Sequence, residues 1–479
     1  MKRLAFTAAL VFAFIAGAVE AALPRPVGRA FLDAGIPLDA IGVVVQEVTQ
    51  RRPLFAQQAD RPYNPASVMK LVTTFAALEL LGPNYRWKTD AYLGGPLEGG
   101  VLHGNLILKG SGDPKITIEQ WQAFMAKLRA QGLDAVEGDL VLDRSFFAPI
   151  AHDPAAFDGE PQKPYNVGPD ALLVNFKSVK FGFAPSATGD ATIVTVEPAL
   201  ARVGVGAPPR LSGGDCGDWR ASLGASLFDH GTRADVAFAG RYPAPCGERE
   251  WWVSLLDHPT YVHGMFDTYF RAAGGRFAGS WKNGTVPPGA KRFATLESPP
   301  LWDIVGDINK LSNNLMARQV FLTLATVNAA PPATTARATA AVQRWLARRK
   351  LQMPELMLDN GSGLSRREQI SARSLARLLL AADTSALREE FASSLAVAAM
   401  DGTVERRFQN GTVAGQALLK TGTLDAVRAL AGYVIDNEGR RFVVVAIVNH
   451  ANAARAQGPL DFLVQWVYRY GATWTPQSR

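Results

Sequence analysis

Three short groups of side chains in this chain can together activate a nucleophile and hold what it attacks. Ser67-Val68-Met69-Lys70 sets a hydroxyl and an amine three residues apart, which on a helix puts both on one face. A serine hydroxyl is a poor nucleophile at neutral pH and needs an adjacent base. A lysine on a buried helix loses hydration, which lowers its pKa and lets its neutral form take that proton. Ser312-Asn313-Asn314 adds a second hydroxyl and an amide, and Lys420-Thr421-Gly422-Thr423 a second cation with two hydroxyls. Lys420 close by would lower Lys70 further. Ser312 would relay a proton between Lys70 and a leaving amine, and Asn314 would bond the substrate backbone. Lys420, Thr421 and Thr423 would grip a terminal carboxylate, with Gly422 letting a substrate lie close to the strand. Each group alone is weak; S-x-x-K, S-x-N and K-T-G in this order form a recognised acyl-transfer set.

These groups need a frame. Asn64 is a good N-cap and Pro65 suits the first helical position, so a helix is expected to run from there to Gly82-Pro83, buried nearly all round. Residues 41–56 read as a Val-rich hairpin turning near Gln50-Arg51-Arg52. Helical texture covers 301–328, 335–350, 371–383, 387–399 and 459–470. Three consecutive strands fall at 413–424, 429–436 and 441–449, the last hairpin turning at Asp436–Gly439. Between about 90 and 290, short β-type runs (101–110, 136–143, 191–198, 234–240) alternate with Gly/Pro turns. The expected fold is therefore α+β. An antiparallel sheet flanked by helices, residues 22–89 and 290–479, is split by a β-rich inserted region, 90–289, of one or two subdomains.

The chain has 479 residues, 48% of them hydrophobic, which is enough for several cores and excludes a disordered protein. Lys2 and Arg3, the uncharged run Leu4–Ala18 and Val19-Glu20-Ala21 read as a secretory signal cleaved before Ala22. The run is short for a membrane span, so the expected location is the periplasm, with membrane association at most peripheral. In an oxidising compartment Cys216 and Cys246, the only two cysteines, would pair; the alternative is two buried free thiols. The net charge of +7 suits steering toward an anionic polymer, or solubility alone. No basic–aromatic run points to nucleic acid. The chain lacks a G-x-S-x-G elbow, an H-E-x-x-H pair and a phosphate-binding P-loop, and its scattered histidines give no reason to expect a metal or any other cofactor.

With these motifs the sequence resembles the class C low-molecular-mass penicillin-binding proteins, the D-alanyl-D-alanine carboxypeptidase/endopeptidases of peptidase family S13. GSGDP at 110–114, GDLVLDRSFF at 138–147, INKLSNNLMA at 308–317, DNGSGLSR at 359–366, DGT at 401–403 and LAGYV at 430–434 carry the likeness, as does the long gap between Ser67 and Ser312. The resemblance implies a transpeptidase-type domain with inserted domains, acting on peptidoglycan stem peptides and acylated by β-lactams. Ser67 would attack, Lys70 serve as base, Ser312 and Lys420 assist the leaving group, and the backbone N–H groups of Ser67 and Thr423 form the oxyanion hole. Arg366 would bind the free carboxylate of a diaminopimelate side chain, Asp143 its ammonium, and Asp425 would line the same pocket. Two departures stand out: Met316-Ala317-Arg318 where an acidic residue is common, and DNGSGLSR where DGSGLSR is commoner. A serine β-lactamase is one alternative, which rapid penicillin turnover would favour. A non-catalytic cell-wall or β-lactam sensor is another, which binding without D-alanine release would favour.

Overall fold

The computed structural model describes residues 22–409 and 411–475; the expected signal peptide, residues 1–21, lies outside them. A six-stranded antiparallel sheet carries the site. Its order is Phe55–Gln57, Ile41–Glu47, Arg441–Asn449, Val427–Ile435, Ala417–Leu424 and Ala396–Val397. Both faces are covered. Val443, Val445 and Ile447 pack into one apolar cluster with the helices Lys70–Leu81, Asn314–Thr323 and Ala372–Asp383. Val444, Ala446 and Val448 pack into another with Arg25–Asp33 and Gln457–Tyr470. Burial on both sides explains why RFVVVAIVN is continuously apolar rather than alternating. The terminal helix packs through Leu460, Leu463, Val464, Trp466 and Val467, in keeping with a core element.

The insert hangs from a two-strand neck. Lys88–Gly94 pairs antiparallel with Arg292–Glu297. The chain leaves and re-enters where Trp87 N–H donates to Ser298 Oγ at 3.0 Å and Ser298 N–H donates back to the Trp87 carbonyl at 3.0 Å. We propose Lys88–Glu297 as the inserted unit, slightly wider than 90–289. A five-stranded and a four-stranded sheet form its base, and smaller sheets between Val179 and Val253 its outer part. One apolar cluster runs through both parts, from Leu106 and Leu140 to Phe181 and Tyr242. Cys216 and Cys246 are disulfide-bonded in the outer part.

Four local expectations change. The β-rich insert also carries helices that the sequence reading does not place: Ile118–Ala130 and His258–Ala272 cover its sheets, the first announced by a Thr117–Gln120 capping box. The runs 101–110 and 136–143 each break in two, with their halves in different sheets. The helix expected over 387–399 stops after Arg388–Ser393 because Ala396–Val397 turns out to pair with the Lys420 strand. Pro65 is not a first helical residue: Asn64 Oδ1 accepts from Ala66 N–H at 2.9 Å, a 3₁₀ turn covers Ala66–Met69, and the α-helix begins at Lys70.

The disulfide closes a loop between residues 30 apart, worth roughly 3–4 kcal/mol in the chain-entropy description. The paired variant Cys216→Ser/Cys246→Ser should lower the urea midpoint of unfolding while leaving penicillin labelling of the folded protein intact. Loss of labelling in the folded variant would contradict the separation of insert and site.

Candidate active site

The turn carrying Ser67 is clamped to the sheet and to a loop. Asn449, at the end of its strand, donates from Nδ2 to the Asn64 carbonyl at 2.9 Å and accepts Asn64 N–H at 2.8 Å. Asn64 Nδ2 donates to the Ser365 carbonyl at 2.8 Å. Ala66, with φ of 48°, reverses the chain just ahead of Ser67. Gly422 sits against this turn: a Cβ there would lie 2.5 Å from the Pro65 carbonyl oxygen and 3.1 Å from Ser67 N. The glycine is thus required by the approach of the strand to the Ser67 turn.

Lys70 is fully buried. Its Nζ lies 2.9 Å from Ser67 Oγ, 2.6 Å from Asn314 Oδ1 and 2.5 Å from the Ser362 carbonyl oxygen. The two latter atoms can only accept. A neutral amine has two N–H bonds and one lone pair, so those acceptors take both hydrogens and leave the lone pair facing the Ser67 hydroxyl. Burial pulls Lys70 well below the ordinary lysine range; Lys420 and Arg318 push the same way, and Glu368 opposes them.

Lys420 is also fully buried, and burial brings it to about 7. Its Nζ donates to Ser312 Oγ and to the Thr421 carbonyl, both at 2.8 Å. Ser312 takes a left-handed conformation, φ 59°, between helices Leu301–Leu311 and Asn314–Thr323. That kink turns its hydroxyl toward Lys420 while Asn314, two residues on, reaches Lys70.

The outer edge of the Lys420 strand is paired only at Leu418 and Leu419. The Ala417 carbonyl points to that side, accepting from Ala398 N–H at 2.9 Å. Because backbone groups alternate along a strand, Thr421 and Thr423 also aim their N–H and C=O groups outward, beyond the last paired residue. A cleft of about 880 Å³ opens there, lined by Ser67, Ser312, Asn314, Thr421 and Thr423 and, across from them, by insert residues such as Asp158 and Tyr165.

Residues 26–469 match the D-Ala-D-Ala carboxypeptidase 3 (S13) family. The chain belongs to that family. The S13 assignment makes it a serine D,D-peptidase, a hydrolase with a penicillin-binding transpeptidase-type fold and inserted domains. A D-alanyl-D-alanine carboxypeptidase of Actinomadura sp. (strain R39) is 28% identical over 447 residues, covering 88% of this chain and 79% of the relative. The crystal structure of penicillin binding protein 4 from Haemophilus influenzae aligns with a TM-score of 0.77 at 22% identity, covering 94% of this chain and all of that one. The same protein complexed with a β-lactam aligns at 0.74, with 21% identity and coverage of 93% and 100%.

Arg366 reaches two residues of the cleft lining: it meets Asp425 at 3.9 Å, both exposed, and its guanidinium lies 5.0 Å from the Phe157 ring centre. Asp143 is not with them. Its buried carboxylate accepts from Ser145 N–H and Oγ and from Val286 N–H, in the five-stranded sheet of the insert. The structure therefore does not bring Asp143 to the expected contact with a diaminopimelate ammonium: it is buried and absent from the cleft lining. The acidic side chain that the insert does bring there is Asp158, which accepts from Tyr165 Oη at 2.7 Å.

Two further residues escaped the motif reading. Thr403, of the DGT segment, bonds the Thr421 hydroxyl at 2.8 Å; its loop is held by the Lys310–Asp401 ion pair at 2.5 Å. Glu368 accepts backbone N–H bonds from the DNGSG turn. A lone acidic residue in a polar loop carries no sequence signal, whereas DGT is a visible segment without an evident role. Arg318, one of the two departures, is buried and attracted by Glu368 and Asp359.

Gly422→Ala should fold but force strand and nucleophile turn apart, lowering the acylation rate with benzylpenicillin by a factor of about 10 or more. Stopped-flow acylation measures it, and a wild-type rate would refute the packing role.

Proposed function

We propose that this S13 peptidase hydrolyses D-Ala-D-Ala ends or D,D cross-links of peptidoglycan stem peptides in the periplasm through an acyl-enzyme on Ser67. The observation that carries the reading is the fully buried Lys70 amine, 2.9 Å from the Ser67 hydroxyl and held from the other sides by the Asn314 amide oxygen and the Ser362 carbonyl. In this reading the peptide lies extended along the open edge of the Lys420 strand, as an added strand. The hydroxyls of Thr421 and Thr423 receive the terminal carboxylate. Lys420 is absent from the cleft lining, so its charge acts from behind the threonines rather than by direct grip.

Lys70 takes the proton as Ser67 Oγ attacks the scissile carbonyl carbon. The backbone N–H groups of Ser67 and Thr423 hold the oxyanion. Collapse of the intermediate breaks the C–N bond, and the leaving nitrogen gains a proton through Ser312, which Lys420 orients. Asn314 acts through Lys70, a more specific role than contact with the substrate backbone. Water then adds to the ester and frees Ser67. A β-lactam enters the same path, but its opened ring stays attached and keeps the ester, as a covalent inhibitor. Arg366 and Asp425 receive the side chain of the preceding residue, for which a diaminopimelate carboxylate matches Arg366. Asp158 stands ready for its ammonium in place of Asp143.

Ser67→Ala or Lys70→Ala should lower D-alanine release from a pentapeptide by a factor on the order of 10³ or more. Mass spectrometry after benzylpenicillin should map the adduct to the Ser67 peptide; an adduct on another peptide would overturn the assignment. Acylation should also rise with pH along a limb lying well below the ordinary lysine value of about 10.4, since only neutral Lys70 accepts the proton. Lys420→Ala removes a cation that disfavours charged Lys70, so the limb should move to higher pH. A limb unmoved, or shifted to lower pH, would disprove the coupling of the two lysines.

A further inference from the structure

We propose that Glu368 is a positioning residue for this reaction, holding the Ser362 carbonyl where it fixes the direction of the Lys70 lone pair; this rests on Lys70 being the base. The Glu368 side chain is fully buried. Oε1 accepts from the N–H groups of Asp359, Asn360 and Gly361 at 3.1, 3.0 and 2.7 Å, and Oε2 from Gly363 N–H at 2.8 Å. Four backbone donors converging on one carboxylate form an anion nest, here closed by the protein's own side chain. Gly361 and Gly363, with φ of 69° and 80°, supply the left-handed turns that aim those donors inward.

The turn so organised lies along the nucleophile segment. Gly361 accepts from Thr73 Oγ1 at 2.6 Å, and Ser362 accepts from Lys70 Nζ. A Cβ on Gly363 would sit 1.9 Å from the Ala66 carbonyl oxygen. Glu368 gathers the N–H groups on both sides of Ser362, while Ser362's own N–H and hydroxyl donate to Asn360 Oδ1 at 2.9 and 2.6 Å, so the carboxylate sets the turn around that carbonyl. Without the carboxylate the Ser362 carbonyl can drift, and the amine is free to turn its lone pair away from Ser67.

Glu368 also acts on Lys70 through its charge. The charged groups bearing on Lys70 are Lys420, Glu368 and Arg318, and Glu368 alone of the three favours the ammonium form. Glu368 in turn faces Lys70, Arg318 and Asp359. The carboxylate therefore orients the amine and tempers the loss of its proton.

Glu368→Gln and Glu368→Asp separate these effects from simple destabilisation. In E368Q an NH2 group faces a backbone N–H and the charge is gone. Benzylpenicillin acylation should slow by a factor of roughly 10–100 at its plateau, and the ascending pH limb should move to lower pH. E368D keeps the charge but retracts the carboxylate by one methylene, so acylation should slow while the limb stays at its wild-type position. A folded E368Q with wild-type rate and limb, or with a limb moved to higher pH, overturns the proposal. So does an E368D that acylates as the wild type does, which decides the matter should E368Q not fold. The Lys70→Ala variant keeps the two readings apart: acylation surviving there refutes the base assignment, whereas its loss beside an unaffected E368Q refutes only the role of Glu368.

Discussion

A lysine amine withdrawn from water has to be neutral or fully compensated, because an uncompensated buried ammonium costs several kcal/mol. Lys70 meets this constraint with two neutral acceptors and a hydroxyl, and among the described residues no carboxylate bonds it. The arrangement favours the free base over an ion pair. It also makes the free amine directional: once neutral, with Asn314 and Ser362 accepting its two hydrogens, it has its lone pair left for Ser67. Those partners come from the S-x-N helix and the DNGSG loop, while the neighbouring cation comes from the Lys420 strand. The amine is suited to the proposed role of base only when these three separate stretches of chain are packed around it.

The sheet supplies what the helix cannot. Among the described residues its Lys420 strand is bonded on the outer side at Ala417–Leu419, so the outward backbone groups of Thr421 and Thr423 beside Ser67 are left for an extended peptide. The approach at Gly422 brings this edge within reach of the nucleophile turn. Across the cleft the insert forms a wall of aromatic and acidic side chains. It is pinned at the Trp87–Ser298 neck and again where Gln319 bonds both the N–H and the carbonyl of Asp170. The chemistry thus belongs to the sheet-and-helix body, and the far wall belongs to the insert.

Legibility followed the length scale of the cause. The buried strands 417–449 and the helix after Ser67 were readable because burial dictates side-chain type over many consecutive residues. The insert helices were missed although Thr117 and Gln120 carry a capping signal, because Gly- and Pro-rich neighbours dominated the texture. Ala396–Val397 was hidden inside a helical pattern, since a two-residue strand owes its existence to its partner at Leu418–Leu419. Asp143 and Asp158 show the same division. Both are acidic residues of the insert, and only the packing of the insert decides which carboxylate is buried in its sheet and which stands exposed in the cleft lining.

Residue order alone specifies the proposed nucleophile and its base, because three residues along one helical stretch bring a hydroxyl and an amine together by local geometry. It also marks Ser312 and Lys420 as companions, through motifs whose chemistry is intrinsic to their side chains. The tertiary structure decides the protonation, direction and surroundings of these groups. Lys70 is dried by neighbours hundreds of residues away, its hydrogens are claimed by Asn314 and the Ser362 carbonyl, and that carbonyl is held through Glu368. Desolvation and hydrogen-bond direction depend on every atom that packs around a group, and only the closed fold brings those atoms together.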